Sequence, residues 1–340
     1  MLHLDGSYGE GGGQIVRTSL SLAALLGREV RLENIRAGRS KPGLKAQHVT
    51  GVRALAHITR AEVAGAELHS RALVFKPRAV QAGSYLFDVA EKTGSAGSVS
   101  LVAQTLLPPL LRAGGPSSLT IRGGTHVAWS PPAHYLMHVF APALAEMGAD
   151  VAISLEKWGW YPRGGGEIRL TIQPARHLQP VDWRTPPAAG SFQGLSAGSR
   201  VPEHVVARQA RRLKQRLGEG LNVAEIQAPA MDPGSFVFLW GPRAGFSALG
   251  ARGKPAEKVA DEAAQEYDRF RQSRAAVDRH LADQILLYLA LADGPSTFVT
   301  EEITLHLLTN LWVVEQFLGP RFEMEGELGT PGKITCRAKK

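Results

Sequence analysis

The stretch Gly148-Ala-Asp-Val151, a turn, then Ile168-Arg-Leu-Thr-Ile-Gln-Pro174 decides the fold. It closes a helical stretch and passes through two short apolar runs of strand character. The same order occurs twice more: Arg60-Ala-Glu-Val63 followed by Ala72-Leu-Val-Phe-Lys-Pro77, and Gly319-Pro-Arg-Phe322 followed by Lys333-Ile-Thr-Cys-Arg-Ala338. An internal repeat of a helix-and-strand unit follows. The copies are 88 residues apart at the first interval and 171 at the second, a surplus of 83. That surplus predicts an inserted domain. Pro180, Pro186 and Pro187, then Gly190, Gly194 and Gly198, mark its start. The expected division is a repeat-built core over 1–184 and 275–340, with a small domain over 185–274.

Outside the repeat, short strands alternate with amphipathic helices, which is an α/β chain built in α+β layers. Leu2–Asp5 reads as a strand. Helices are expected over Gln14–Leu26, Ala46–Ile58, Ser98–Leu111, Ala133–Met147, Glu203–Leu217, Asp278–Leu291 and Glu301–Leu318. Pro108 and Pro109 should bend or end the third. The helix at 203–217 is rich in Arg208, Arg211, Arg212, Lys214 and Arg216, which fits either a solvated face or a phosphate-backbone contact.

Composition narrows the function classes. The 340 residues are 44% hydrophobic and 21% charged, which excludes a disordered tail or a coiled coil. Lys and Arg exceed Asp and Glu by 39 to 31, a net +8 that favours an anionic partner. The single Cys336 rules out an intrachain disulfide, and no Cys/His cluster has zinc-finger spacing. No run of 18 apolar residues occurs and the N-terminus lacks signal-peptide order, so a soluble, cytoplasmic protein is expected.

Several segments carry chemistry. Asp5-Gly-Ser-Tyr-Gly-Glu-Gly-Gly-Gly-Gln14 joins a strand to a helix, where backbone N–H groups and the helix N-terminus suit a phosphate. It is neither a Walker A loop nor a dinucleotide fingerprint. Glu10 inside it is either a Mg²⁺ contact or an exposed turn carboxylate. Arg36-Ala-Gly-Arg-Ser-Lys-Pro-Gly-Leu-Lys45, with Arg17, forms an anion-binding cluster or a solvated loop. The loops Gly123–Pro132 and Tyr161–Glu167 line a cleft or simply turn the chain. His306, in the first turns of a helix, is held neutral and nucleophilic by the helix end, or is a core histidine. In His280-Leu-Ala-Asp-Gln284, the ring suits stacking on a base and the Asp and Gln suit its edge; ordinary polar residues opening a helix is the other reading.

Together Leu4–Arg17, Ile35–Leu44, Gly-Gly-Thr-His126, Tyr161-Pro-Arg-Gly-Gly-Gly, His280-Leu-Ala-Asp-Gln and His306-Leu-Leu-Thr-Asn, in that order, resemble the RNA 3′-terminal phosphate cyclases over nearly the whole chain. The resemblance implies three repeats of a two-helix, four-stranded-sheet unit and an inserted thioredoxin-like domain. It implies that ATP, with Mg²⁺ or Mn²⁺, adenylates His306; AMP then passes to an RNA 3′-phosphate, and the 2′-hydroxyl closes a 2′,3′-cyclic phosphodiester. Adenylation supplies the leaving group that a phosphate monoester lacks. By motif position it assigns Gln104, Pro131, His280, Leu281, Ala282, Asp283 and Gln284 to ATP, and Glu10 to the metal. Arg17, Arg36, Arg39 and Gln47 are assigned to RNA or phosphate. The implied partners are ATP and RNA with a 3′-terminal phosphate, with no membrane and no obligate protein partner.

The chain departs from the pattern at His280, where an aromatic Tyr or Phe is expected, at His134, where Asp is usual, at Trp158, and in extra residues at Val89–Thr93. Two other classes share parts of the pattern: a non-catalytic, ribosome-assembly relative, which would lack the nucleophilic histidine, and an enolpyruvyl transferase, which needs no such histidine. No Lys-x-Asp-Gly occurs, which excludes a lysine-adenylating ligase.

Overall fold

The computed structural model describes residues 1–89 and 96–338, so of the extra residues expected at Val89–Thr93 those from position 90 onward lie outside the described residues. The chain begins β1 (Leu2–Asp5), α1 (Gly13–Leu26), β2 (Val30–Glu33), α2 (Ala46–Thr59), β3 (Glu62–Ala64), β4 (Leu73–Lys76). The next stretch is β5 (Ser84–Asp88), α3 (Val99–Leu111), β6 (Ser117–Gly123), α4 (Ala133–Tyr135), a π turn (Leu136–Phe140), α5 (Ala141–Glu146), β7 (Val151–Lys157) and β8 (Gly166–Ile172). After β9 (Asp182–Trp183) come β10 (Gln193–Ser199), α6 (Glu203–Leu217), β11 (Val223–Gln227), β12 (Gly234–Gly241), β13 (Ala244–Leu249) and α7 (Ala256–Ser273). The chain closes with α8 (Arg279–Leu291), β14 (Ser296–Thr300), α9 (Leu305–Leu318), β15 (Phe322–Glu325) and β16 (Gly332–Cys336).

Mixed four-stranded sheets form the architecture. Three of them have the orders β1-β2-β4-β3, β5-β6-β8-β7 and β9-β14-β16-β15. In each the first pair is parallel and the other two are antiparallel. The fourth, β11-β10-β12-β13, is built wholly from the chain between β9 and β14, which are themselves neighbours. Each sheet turns one face inward. In β8, Ile168, Leu170 and Ile172 are fully buried while Arg169 and Thr171 between them are exposed, the period-2 pattern of a half-covered strand. The helices meet behind these faces: α1 packs on α2, α3 and α9, and α8 on α9.

Helix ends follow capping chemistry. Ser98, Asp278 and Thr304 accept backbone N–H bonds at the starts of α3, α8 and α9. That cap moves the start of the last helix from the expected Glu301 to Leu305. Ile303 is held outside the helix by a bond from its N–H to the Thr330 carbonyl at 2.7 Å. The prolines do not end α3, which runs on to Leu111. Pro109 cannot bond the Thr105 carbonyl four residues back, and Ser21 Oγ from α1 reaches that carbonyl instead, at 2.7 Å, sharing its hydrogen with the Arg17 carbonyl at 2.8 Å. The expected single helix over 133–147 contains a π turn just before Pro142.

The basic helix is also placed. Arg208 pairs with Glu257 at 2.7 Å, Arg212 with Asp261 at 2.8 Å, and Arg216 with Asp261 at 3.1 Å and Asp268 at 2.8 Å. Three of its five cations therefore face acidic residues of α7. The other side of the fourth sheet carries Phe236 and Phe238, which meet His126, His134 and Trp160 of the second unit, and Trp158 packs on the two histidines behind them. Within that seam His126 Nε2 and His134 Nδ1 are 2.8 Å apart, and burial keeps both rings neutral.

Candidate active site

His306 is the second residue of α9, held over the glycine-rich loop that opens α1. Thr309, one turn on, ties loop to helix: it accepts the Glu10 N–H at 2.9 Å and donates to the Leu305 carbonyl at 2.6 Å. Gly9 has a φ of +56° and any Cβ there would strike the Thr309 hydroxyl, so the tie requires glycine.

The His306 Nδ1 lies 2.6 Å from Gln14 Oε1. The Gln14 amide also pulls the Asp283 pKa down, against the larger effect of burial, which sets its NH₂ toward the carboxyl and its oxygen toward the ring. Nδ1 then carries the hydrogen and Nε2 keeps its lone pair. Burial, with the positive charges of Arg17 and Arg39, lowers the His306 pKa, so the ring is neutral at neutral pH. Half of the side chain remains exposed, which leaves Nε2 open to a partner. Glu10 Oε1 is 3.6 Å from that nitrogen, Glu10 is also paired with Arg39, and its Oε2 is buried without a partner.

Behind the ring lies Asp283, 4.0 Å from Nδ1 and pushed up to about 7 by burial against the opposing pull of Arg17. Arg17 itself is lowered to about 10 by burial and stays charged. The Asn310 amide donates to the Asp283 carbonyl at 2.5 Å, joining α8 to α9. On the neighbouring turn of α8, Gln284 Oε1 accepts from Gln104 of α3 at 2.6 Å. His280 is exposed at the start of α8, where desolvation, with Arg279 and His306, takes its pKa down to about 4.

The structure therefore gathers Glu10, Arg17, Arg39, His280, Asp283 and His306 about one point, with Gln104 and Gln284 paired beside it. The remaining expected residues sit otherwise. Leu281 and Ala282 are buried in the core, so only their backbones are available to a ligand. Arg36 is buried, and its Nη1 donates to the Lys41 and Gly43 carbonyls at 2.8 and 2.7 Å, shaping its own loop. Gln47 accepts the Ser98 N–H at 3.3 Å, joining α2 to α3. Pro131 lies in the β6–α4 loop, and among the described residues no hydrogen bond or ring contact links it to the His306 cluster.

Residues 8–324 match the family model described as RNA 3′-terminal phosphate cyclase. The chain belongs to the RNA 3′-terminal phosphate cyclase family. A relative from Pyrobaculum neutrophilum carrying that name is 47% identical over 333 residues, 95% of each chain. One from Methylococcus capsulatus is 47% identical over 97% of this chain and 95% of its own, and one from Thermococcus onnurineus 46% over 98% of both. Among solved structures, EPSP synthase from Acinetobacter baumannii aligns with 99% of this chain and 64% of its own, at 12% identity and a TM-score of 0.30.

In this cyclase-family chain, sequence reasoning left three site residues without a role. Gln14 is the amide on the nucleophile candidate; its place in the first turn of a helix, directly after the glycines 11 to 13, was the available signal. His48 is buried beneath the glycine loop, accepts the Lys45 N–H at 3.0 Å through Nδ1, and is held neutral by burial and by Arg17, Arg36 and Lys45. Asp278 looked like an ordinary helix opener and proves to be fully buried.

Proposed function

We propose that the chain converts an RNA 3′-terminal phosphate into a 2′,3′-cyclic phosphodiester, using ATP and passing through an adenylate on His306. The observation that carries this reading is the Gln14–His306 bond at 2.6 Å, which leaves the lone pair of a neutral ring on Nε2, at the half-exposed edge of the site. In the first step that lone pair attacks the α-phosphorus of ATP; an N–P bond forms and the P–O bond to pyrophosphate breaks. Charge developing on the ring is stabilised by the Gln14 carbonyl at Nδ1. An RNA 3′-phosphate oxygen next takes the AMP from Nε2, restoring the imidazole. The 2′-oxygen then attacks the terminal phosphorus, loses its proton, and expels AMP. That last step is intramolecular, so its entropic cost is small.

Arg39 and Arg17 are placed to hold the phosphates, and the paired Gln104 and Gln284, with His280 and Asp283, the nucleoside. The donor set fits a divalent cation held with substrate: Glu10 has one carboxylate oxygen buried without a partner, and the described residues contain no cluster of three or more protein ligands. Glu10 would hold such a cation, Mg²⁺ or Mn²⁺, which would supply charge neutralisation for the pyrophosphate leaving group. The domain division, 1–184 with 275–340 against 185–274, belongs to the same proposal and is supported by the self-contained fourth sheet. So does a thioredoxin-like character for that insert. Among the described residues no helix is long and apolar enough to cross a membrane. That is consistent with action on RNA in the cytoplasm, and no obligate protein partner is proposed.

The test is a short RNA carrying a ³²P-labelled 3′-phosphate, incubated with the protein, ATP and Mg²⁺. The label should become resistant to phosphatase and should need ATP. Label that stays phosphatase-sensitive with folded protein would defeat the reading.

A further inference from the structure

Asp278 lies at a junction of three parts of the chain. Its carboxylate is completely buried and accepts bonds from three separate segments of the chain. Oδ1 accepts the backbone N–H groups of His280 and Leu281, both at 2.7 Å, and so caps α8. Oδ2 accepts the N–H of Gly245 at 2.8 Å, from β13 of the fourth sheet. The Tyr135 hydroxyl, from α4 of the second unit, donates across both oxygens at 2.8 and 2.9 Å. The Asp278 N–H donates to the Arg243 carbonyl at 3.2 Å, a second bond to the fourth-sheet unit.

The next residue repeats the connection with charge. Arg279 pairs with Glu266 of α7 at 2.7 Å and with Glu302, just before α9, at 3.2 Å, while its N–H donates to Glu301 Oε1 at 3.1 Å. Two consecutive residues thus bind the unit built between β9 and α8 to the starts of both helices that carry the candidate site. The Tyr135 ring also stands edge-on to His280, with centroids 6.4 Å apart.

We infer that Asp278 is a positioning residue through which the fourth-sheet unit sets the place of the nucleotide-binding segment His280–Gln284. A helix cap alone needs only Oδ1, and an asparagine would supply it. The second oxygen, committed to Gly245 and Tyr135, is surplus to capping. Burying a full carboxylate is costly unless each oxygen is satisfied, so that surplus calls for a purpose beyond the helix end. Four accepted contacts from three segments fix the α8 start in three dimensions, which a single cap does not. This inference rests on the nucleotide role of His280–Gln284 proposed above.

Asp278→Asn separates the two roles. The amide keeps Oδ1 on the helix N–H groups, but puts an NH₂ group against the Gly245 N–H, donor to donor, while the Tyr135 hydroxyl can turn to accept. The account predicts that the KM for ATP in His306 adenylation rises about 3- to 10-fold, the effect of one lost buried bond. The rate at saturating ATP should change little, while the melting temperature falls modestly because the Gly245 N–H is left buried without an acceptor. Tyr135→Phe, which removes a single donor, should shift KM in the same direction by less, and it serves if Asp278→Asn does not fold. A KM unchanged in a folded variant while wild type is labelled normally would overturn the inference and leave the proposed function standing. Failure of the wild type to form any adenylate would overturn both.

Discussion

Replacing Gln14 by leucine tests the geometry at its centre. Gln14 is 6% exposed, so a leucine of similar length fills its place without opening a cavity. What is lost is the 2.6 Å bond to His306 Nδ1, together with the amide's pull on the Asp283 pKa. The first fixed which ring nitrogen carries hydrogen, so the variant ring is free to rotate and to exchange tautomers. One such bond is worth about 1–2 kcal/mol. At roughly 1.4 kcal/mol per tenfold, adenylation should slow by about 5- to 30-fold. The loss should fall on the rate at saturating ATP and leave KM within about twofold, because in the proposed arrangement Gln14 touches the nucleophile and not the nucleotide. The assay is single-turnover labelling with α-³²P ATP across a range of ATP concentrations, with circular dichroism to check the fold. Wild-type labelling rates in Gln14→Leu would refute the argument that this amide orients the ring. A defect confined to KM would refute it equally.

Two further outcomes follow from other contacts. The positive charge of Arg39 helps hold the His306 pKa below its ordinary value, so Arg39→Ala should raise it and move the acid limb of the adenylation profile to higher pH; an acid limb that stays put would contradict the charge argument. Ser21→Ala should leave the Thr105 carbonyl, already deprived of its helical partner by Pro109, buried and unsatisfied, at a cost of about 1–3 kcal/mol read as a lower melting temperature. A melt identical to wild type would show that the carbonyl finds another donor.

Much of the mixed α/β architecture was legible in the aligned helix-and-strand segments. The segments aligned at Val63, Val151 and Phe322 fall on β3, β7 and β15, and their partners on β4, β8 and β16, each an antiparallel pair at the same place in its sheet. Boundaries were less legible where tertiary contacts overrode local signals. Pro108 and Pro109 sit inside α3 because the helix is buried and a serine from α1 compensates one lost bond. The Glu301–Ile303 segment is drawn out of the helix by Ile303 bonding to Thr330, a contact distant in sequence. The basic face of α6 gave a charge but no partner, since the carboxylates of α7 that neutralise it begin some forty residues later. At the site, motif position brought out Glu10, Arg17, Arg39, Asp283 and His306, and they converge. It gave no role to Gln14, whose meaning depends on a histidine 292 residues away. Nor did it show Asp278 as buried, because a capping aspartate looks the same in sequence whether its second oxygen meets water or a neighbouring sheet.

The central claim is that His306 is the adenylated nucleophile. The direct measurement is incubation with α-³²P ATP and Mg²⁺, then Mn²⁺, followed by denaturing electrophoresis of wild type and His306→Ala. The account predicts a labelled band at 36.5 kDa that is acid-labile, base-stable and absent from a folded His306→Ala protein. Equal labelling of the variant, or no labelling of folded wild type with either metal, would contradict it.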